Sequence, residues 1–453
     1  MRQELPLKSG SGRSKPITVE SLVNLYPEQS EESAKGRVTL HGCPGLDLFA
    51  TCGDGPIRGL HKMANVLYAV SGQRLYSVDS SGVTADLGDI KGAELATIAD
   101  NGTQLCIVSG SRGYIYSVVG GLVEISDTDF PGADSVAFLD GYFIFNNSSQ
   151  FFISALYDGT DFDALDFASA ESNPDPLIKV LVDHRELWLF GDDTVEVWQN
   201  VGSGDFPFAR ISGAINEKGL IAKNSVVQMD NSVLWLDQDG IVRRAAGGYA
   251  PVRISTHAIE YKISLGDYER AEAFSYSQEG HEFYVLSIPN SGTFVFDAAT
   301  QLWHERKSYL KDRWRVSTYT KAYNKPLVGD IYNGNIYELN LDSYSENGDP
   351  LIAEMIFPPI ENDGDRFTFH SFQLDMETGI GGHSSPQVML QISRDGKVWG
   401  NEAWRSFGKD GDYLKRVIWR RLGQHRTAHV KCSISDVAKR AVYAAYIQGE
   451  PNR

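Results

Sequence analysis

The sequence predicts an all-β chain: a β-propeller of six or seven blades, preceded by an extended N-terminal arm and followed by a C-terminal β-sandwich. A strand–turn–strand unit recurs through the middle of the chain, with starts about 38 to 50 residues apart, the spacing of four-stranded propeller blades. The composition, 11% aromatic with 44 glycines and only 22% charged residues, suits many strands joined by tight turns. Beyond residue 358 the long spacing lapses while the two-residue alternation persists, as it does in a sandwich.

Residues 1–35 are polar and hold two Gly/Ser clusters, with "LPL" and "LVNLYPE" as their apolar stretches. Such a segment makes a poor core, so it is expected to be an arm docked on a neighbouring subunit or adaptor. On that reading Leu5, Leu7, Leu22 and Leu25 are buried only on docking.

The propeller is assigned to residues 36–358. Its first hairpin, "NVLYAVSGQRLYSVDSSG" (65–82), alternates apolar and polar residues on both sides of a Ser-Gly turn. A lone hairpin is marginal in water and needs a larger sheet around it. Relatives follow at 105–121, 143–159, 187–203, 233–248, 283–300 and 327–343. The flanks supply inner and outer strands: "GPIRGLHKMA" and "VTADLG" around the first, "PLIKVLVDHR" and "DFPFARI" around the fourth, "SVVQMDN" and "APVRIS" around the fifth. One blade cannot bury both faces of its sheet, whereas a closed circle of blades can. Seven blades result, or six if the last hairpin belongs elsewhere. Paired sandwiches or a solenoid would use the same strands with no reason for the spacing. "STHAIEYKISL" (255–265) interrupts the pattern as a short helix capped by Ser255 or Thr256, with Ile259 and Ile263 on its apolar face. The sandwich is assigned to 359–453, on "RFTFHSFQLDMETG", "QVMLQISRDGKVWG", "RVIWRRLGQ", "AHVKCSISD" and "AVYAAYIQGE".

The four cysteines, Cys43, Cys52, Cys106 and Cys432, form no CxxC or CxxH cluster and read as reduced thiols. The first residues contain no apolar signal core, and no stretch approaches a membrane span of roughly 18 apolar residues, so no membrane insertion is expected. A net charge of −17 disfavours tight nucleic-acid binding.

No HExxH, GxSxG, P-loop or post-strand GxGxxG is present, so no catalytic residues, cofactor or metal are expected. Two stretches suggest the alternative of a carbohydrate-binding or glycan-cleaving propeller. Asp158, Asp161, Asp163 and Asp166 cluster in "DGTDFDALDF", where paired acids could cut a sugar or hold calcium, although a solvated loop explains them as well. "SRDGKVWG" (393–400) is similar to the S-x-D-x-G-x-x-W turn of sialidases, with its Gly one place early. Asp395-Gly396 reads more simply as a type I′ turn, with Trp399 packed on the sandwich. The dense basic patch is "KRVIWRRLGQHR" (415–426). Its Arg420 and Arg421 would face opposite ways on a regular strand, which suits a solvated strand or a contact with an acidic protein better than a phosphate stripe.

Longer stretches resemble a known family. "LVNLYPE" (22–28), "LHGCPGLDLFA" (40–50), "DTVEVWQNVGSGDFPFARISGAINEKGL" (193–220), "SVLWLDQDGIVRRAAGGYAPVRISTHAIE" (232–260) and "VIWRRLGQHR" (417–426) are similar to the packaged-DNA stabilisation proteins of short-tailed bacteriophages, also called tail accessory or nozzle proteins. The resemblance implies a propeller body and no enzyme activity. It further implies a virion tail component, assembled in the host cytoplasm, that forms a ring of six copies below the portal and adaptor. The ring would extend the DNA channel, help retain packaged DNA, and carry fibres or spikes and a plug or needle. Six copies at −17 would carry about −100, so duplex DNA would slide past without tight binding.

Overall fold

A computed structural model of the protein describes residues 2–15, 17–30, 37–169, 175–202, 206–380 and 385–451. These residues form seven antiparallel four-stranded blades, each hairpin of the sequence supplying the two middle strands of one blade. Blades 1 to 6 span 57–89, 97–124, 135–168, 177–216, 227–253 and 272–306. Blade 7 has three strands of its own, Val316–Ala322, Lys325–Asp330 and Asn335–Asn340. Its fourth, Gly45–Thr51, comes from before blade 1. Both ends of the propeller chain thus meet in one sheet, which closes the ring without leaving a bare edge between first and last blades.

The cohesion lies between blades. Seven apolar clusters each draw on two neighbouring blades. Cys106 and Ile115 of blade 2, for example, pack with Phe143, Phe145 and Phe152 of blade 3. The middle strands are therefore buried on both faces, and they read as apolar runs such as "LWLFG". The helix is His257–Ile263. Thr256 caps it by accepting from the Ile259 N–H, and Ile259 and Ile263 fill the core between blades 5 and 6. Ser255 instead donates its hydroxyl to Glu260.

The sandwich has two sheets. One runs Leu25–Gln29, Val38–Gly42, Ala441–Pro451, Phe367–Met376, Val417–His425, with Arg2–Gln3 paired on Tyr446 and Ala445. The other runs Ser21–Val23, Ala353–Ile356, Thr427–Ile434, Gln387–Ser393, Ala403–Ser406. This layout corrects the expected arm. The described part of 1–35 contributes strands to both sheets, and Leu5, Leu22 and Leu25 lie buried in the sandwich core beside Met355, Phe372 and Val430 of the same chain. A segment too polar to make a core alone still completes one, because each of its strands needs only one apolar face. The boundaries shift accordingly. Val38–Gly42 and Ala353–Ile356, expected in the propeller, pair within the sandwich, whereas the sheet of blade 7 extends past its four strands through the short pair Ser345–Glu346 and Asp349–Pro350.

The two domains share a sheet. Ser21–Val23 pairs in parallel with the outer strand of blade 6 at Val23–Glu305 and antiparallel with Ala353–Ile356 on its other side. Asn24, with φ 56°, fixes this junction: its amide nitrogen donates to the carbonyls of Lys307 (2.8 Å) and Ile352 (2.7 Å), and its oxygen accepts from the Lys307 N–H at 3.1 Å. Arg440, buried in the sandwich, donates to the Leu351 carbonyl (2.7 Å) on the segment that joins the domains.

Candidate assembly surfaces

Among the residues expected to form an interface, the structure leaves Leu7, Arg420 and Arg421 at the surface. The burial of Leu5, Leu22 and Leu25 within their own chain removes them from any docking surface. Leu7 is exposed, its backbone N–H held by the Glu20 carboxylate at 2.8 Å. The arm lies against blade 6, where the Ser9 N–H donates to the Trp303 carbonyl at 2.9 Å.

Arg420 and Arg421 lie on Val417–His425, an edge strand of the sandwich. Regular alternation would turn one of them inward. Arg421 instead adopts φ 59°, and the pairing with Phe367–Met376 slips between Phe369 and Ser371. This bulge resets the alternation, so both guanidinium groups face solvent while Trp419 and His425 remain buried. Neither arginine makes an ion pair or hydrogen bond among the described residues. Arg405 and Arg416 flank them, bonded to the Ile418 carbonyl and to Gln373 rather than to carboxylates. Tyr413 and Leu414, 69% and 94% exposed, sit on the loop that leads into this strand. Exposed Arg and aromatic residues beside apolar ones are the composition of interface cores. The signal sequence reading missed is the bulge, since Leu-Gly after the arginines does not announce it.

The charge is divided along the chain. Residues 359–453 hold 14 Lys and Arg against 11 Asp and Glu, or +3, so the remainder carries −20 of the total −17.

The two carbohydrate-like stretches are used locally. Asp158 accepts from the Thr160 N–H and hydroxyl and from Gln104. These bonds hold its carboxyl below the usual range, led by the Thr160 hydroxyl. Asp163 accepts from the Leu165 N–H, and burial pushes Asp166 up. Among the described residues no group of three or more His, Cys, Asp or Glu could hold a metal ion. The turn at 393–400 differs from the expected type I′, because only Gly396 has a positive φ (+69°). Asp395 instead accepts the N–H groups of Val398 and Lys397, which lower its pKa to about 2. A Cβ on Gly396 would come within 2.7 Å of Val19, so this turn serves as a seat for the arm. Trp399 is half-buried under Lys431, whose ammonium lies 5.0 Å from the ring centroid. The four cysteines are unpaired and buried.

Reactive groups that are consumed in holding turns, on a body closed by its own termini, mark a rigid building block that works by fitting other molecules. The chain belongs to the bacteriophage P22 Gp10 family: the model described as "Bacteriophage P22 Gp10, beta-propeller" matches residues 3–344, and "Bacteriophage P22 Gp10, beta-sandwich" matches 353–450. It is 22% identical over 395 residues to the tail hub protein gp10 of Salmonella phage P22, covering 80% of each chain. Among solved structures it is similar to the computationally designed protein Ika8, at 15% identity and a TM-score of 0.41 over 71% of this chain and 99% of that one. It is also similar to BamB from Moraxella catarrhalis, at 9% identity and a TM-score of 0.41 over 71% and 98%. The protein is a structural component of a bacteriophage tail, part of the virion, and not an enzyme.

Proposed function

We propose that this tail component is a ring-forming nozzle of six copies. It docks below the portal–adaptor stack, prolongs the DNA channel, helps retain packaged DNA and gives attachment to fibres or spikes and a plug. The observation that carries this reading is the division of charge between residues 359–453, which form most of the sandwich, at +3 and the remainder at −20. A head-to-tail contact brings the cationic edge of one sandwich against the acidic propeller side of the next copy, and such heterologous contacts form rings when the rotation closes. Arg420, Arg421, Tyr413 and Leu414 form the sandwich side of that contact, and Leu7 is the arm residue left for the adaptor. An acidic ring lets duplex DNA slide, because contact with it releases few counterions.

Electron microscopy of the full chain mixed with portal and adaptor tests the reading, alongside particle mass in solution. Six-fold density below the adaptor is expected. The double variant Arg420→Glu/Arg421→Glu should melt like the wild type yet leave single copies and no ring. A variant that assembles as well as the wild type would remove the proposed contact, and density of another symmetry would remove the six-copy ring.

A further inference from the structure

The inner strands of the blades surround an axial cavity of about 210 Å³, lined by residues of blades 1, 2, 4, 6 and 7 and by Asn224 from the approach to blade 5. Its electrostatics are lopsided. Lys179, on the inner strand Leu177–Asp183 of blade 4, lines the cavity and is half-buried, yet makes no hydrogen bond or ion pair among the described residues. Lys223, beside Asn224 in the chain, is also half-buried and without a partner among them. Arg58 lines the cavity from blade 1 and is 2% exposed. Its guanidinium donates to the carbonyls of Gly72, Ile90 and Glu94 and to the Ser109 hydroxyl, so no carboxylate offsets its charge. Carboxylates on the surrounding inner strands are already engaged: Asp100 with His61 at 2.6 Å, and Glu272 with Arg313 at 2.5 Å.

We infer that this cavity binds a small inorganic oxyanion of the phosphate or sulfate class, held by Lys179 with Lys223 and Asn224 beside it. Arg58 and Lys179 line this cavity, Lys223 adds its charge beside Lys179, and no carboxylate among the described residues pairs with any of the three, so a bound anion supplies the missing counter-charge. Burial, reinforced by the charge of Lys223, pushes the Lys179 pKa down to about 8, the mark of an ammonium short of a counter-charge. The volume suits a tetrahedral oxyanion with a few waters, since one water occupies about 30 Å³ in the liquid. The lining comes from most of the blades, so a bound anion ties together strands that otherwise meet only their immediate neighbours.

Calorimetric titration of the full chain with inorganic phosphate tests this, with sulfate as a second probe, at pH 7 and an ionic strength held constant with chloride. Saturable binding of one phosphate per chain is expected. The melting temperature should rise by about 2 °C at ten times the dissociation constant. Lys179→Met should melt higher than the wild type in chloride alone and lose the response to phosphate. Lys223→Met should bind about tenfold more weakly, as loss of one nearby charge predicts. Should Lys179→Met fail to fold, Lys179→Arg decides in its place, since it should keep binding while Lys223→Met weakens it. No saturable binding by the wild type up to about 10 mM, or equal affinity in the lysine variants, overturns the assignment.

Discussion

Single residues decide where this chain is strong and where it is vulnerable. Asn24 satisfies three backbone groups from two domains while holding a left-handed φ that Asn tolerates better than most residues. Asn24→Ala strands those groups in a buried site, so a loss of about 3 to 5 kcal/mol is expected, read as a lower guanidinium midpoint. His304 is the opposite case. Both of its ring nitrogens lack a partner, its ring packs edge-on against Phe283 at 5.7 Å, and burial pushes its pKa down to about 3. A depressed histidine stabilises the fold above the unfolded value near 6.5, and that contribution is lost as pH falls from there toward 3. His281 works the other way. The Asp297 hydrogen bond raises its pKa, so its contribution is present below 6.5 and fades as pH rises through the folded value. His304→Leu should therefore be more stable than the wild type by about 2 kcal/mol at pH 5 and near parity above pH 7, checked by denaturation across that range.

At the scale of elements, the blades were legible because the middle strands of each are buried on both faces and broken by a tight turn. The count stayed open between six and seven for a physical reason: the last blade borrows its outer strand from residues that precede the first, and no local pattern in "GLDLFAT" states its distant partner. The arm was misread for a related reason. Leu5, Leu22 and Leu25 looked too few to form a core because most of that core, from Ala353 to Ala445, lies more than 300 residues away. Arg420 and Arg421 were expected on opposite faces, yet both are exposed, because a bulge cannot be seen in strict alternation. The closing strand gives its own prediction. A Cβ at Gly45 would stand 2.5 Å from the carbonyl oxygens of both Ser343 and Ser345, which are backbone atoms and cannot step aside. Gly45→Val should unseat the strand Gly45–Thr51, bare the outer edge of blade 7, and make the chain cleavable by protease between residues 45 and 56 under conditions where the wild type resists.

For the whole molecule, the question is whether the propeller and sandwich behave as two bodies or one. Ser21–Val23 is hydrogen-bonded to a blade on one side and to the sandwich on the other, and Asn24 and Arg440 clamp the segment between the domains. Residues ahead of that strand reinforce it: the Ser9 hydroxyl pairs with both backbone groups of Leu22, and Leu5 fills the sandwich core. A part that transmits load through a tail gains from such coupling, since a flexible junction between domains with separate cores is the default. Removing residues 2–20 takes away the Arg2–Gln3 strand, Leu5 and Ser9 while leaving every blade intact. Scanning calorimetry should show one transition for the full chain. The truncated chain should show two, with the sandwich melting first and the propeller near its original temperature. A single unshifted transition after truncation would mean that the arm adds nothing to the junction and would return it to the role of a free docking segment.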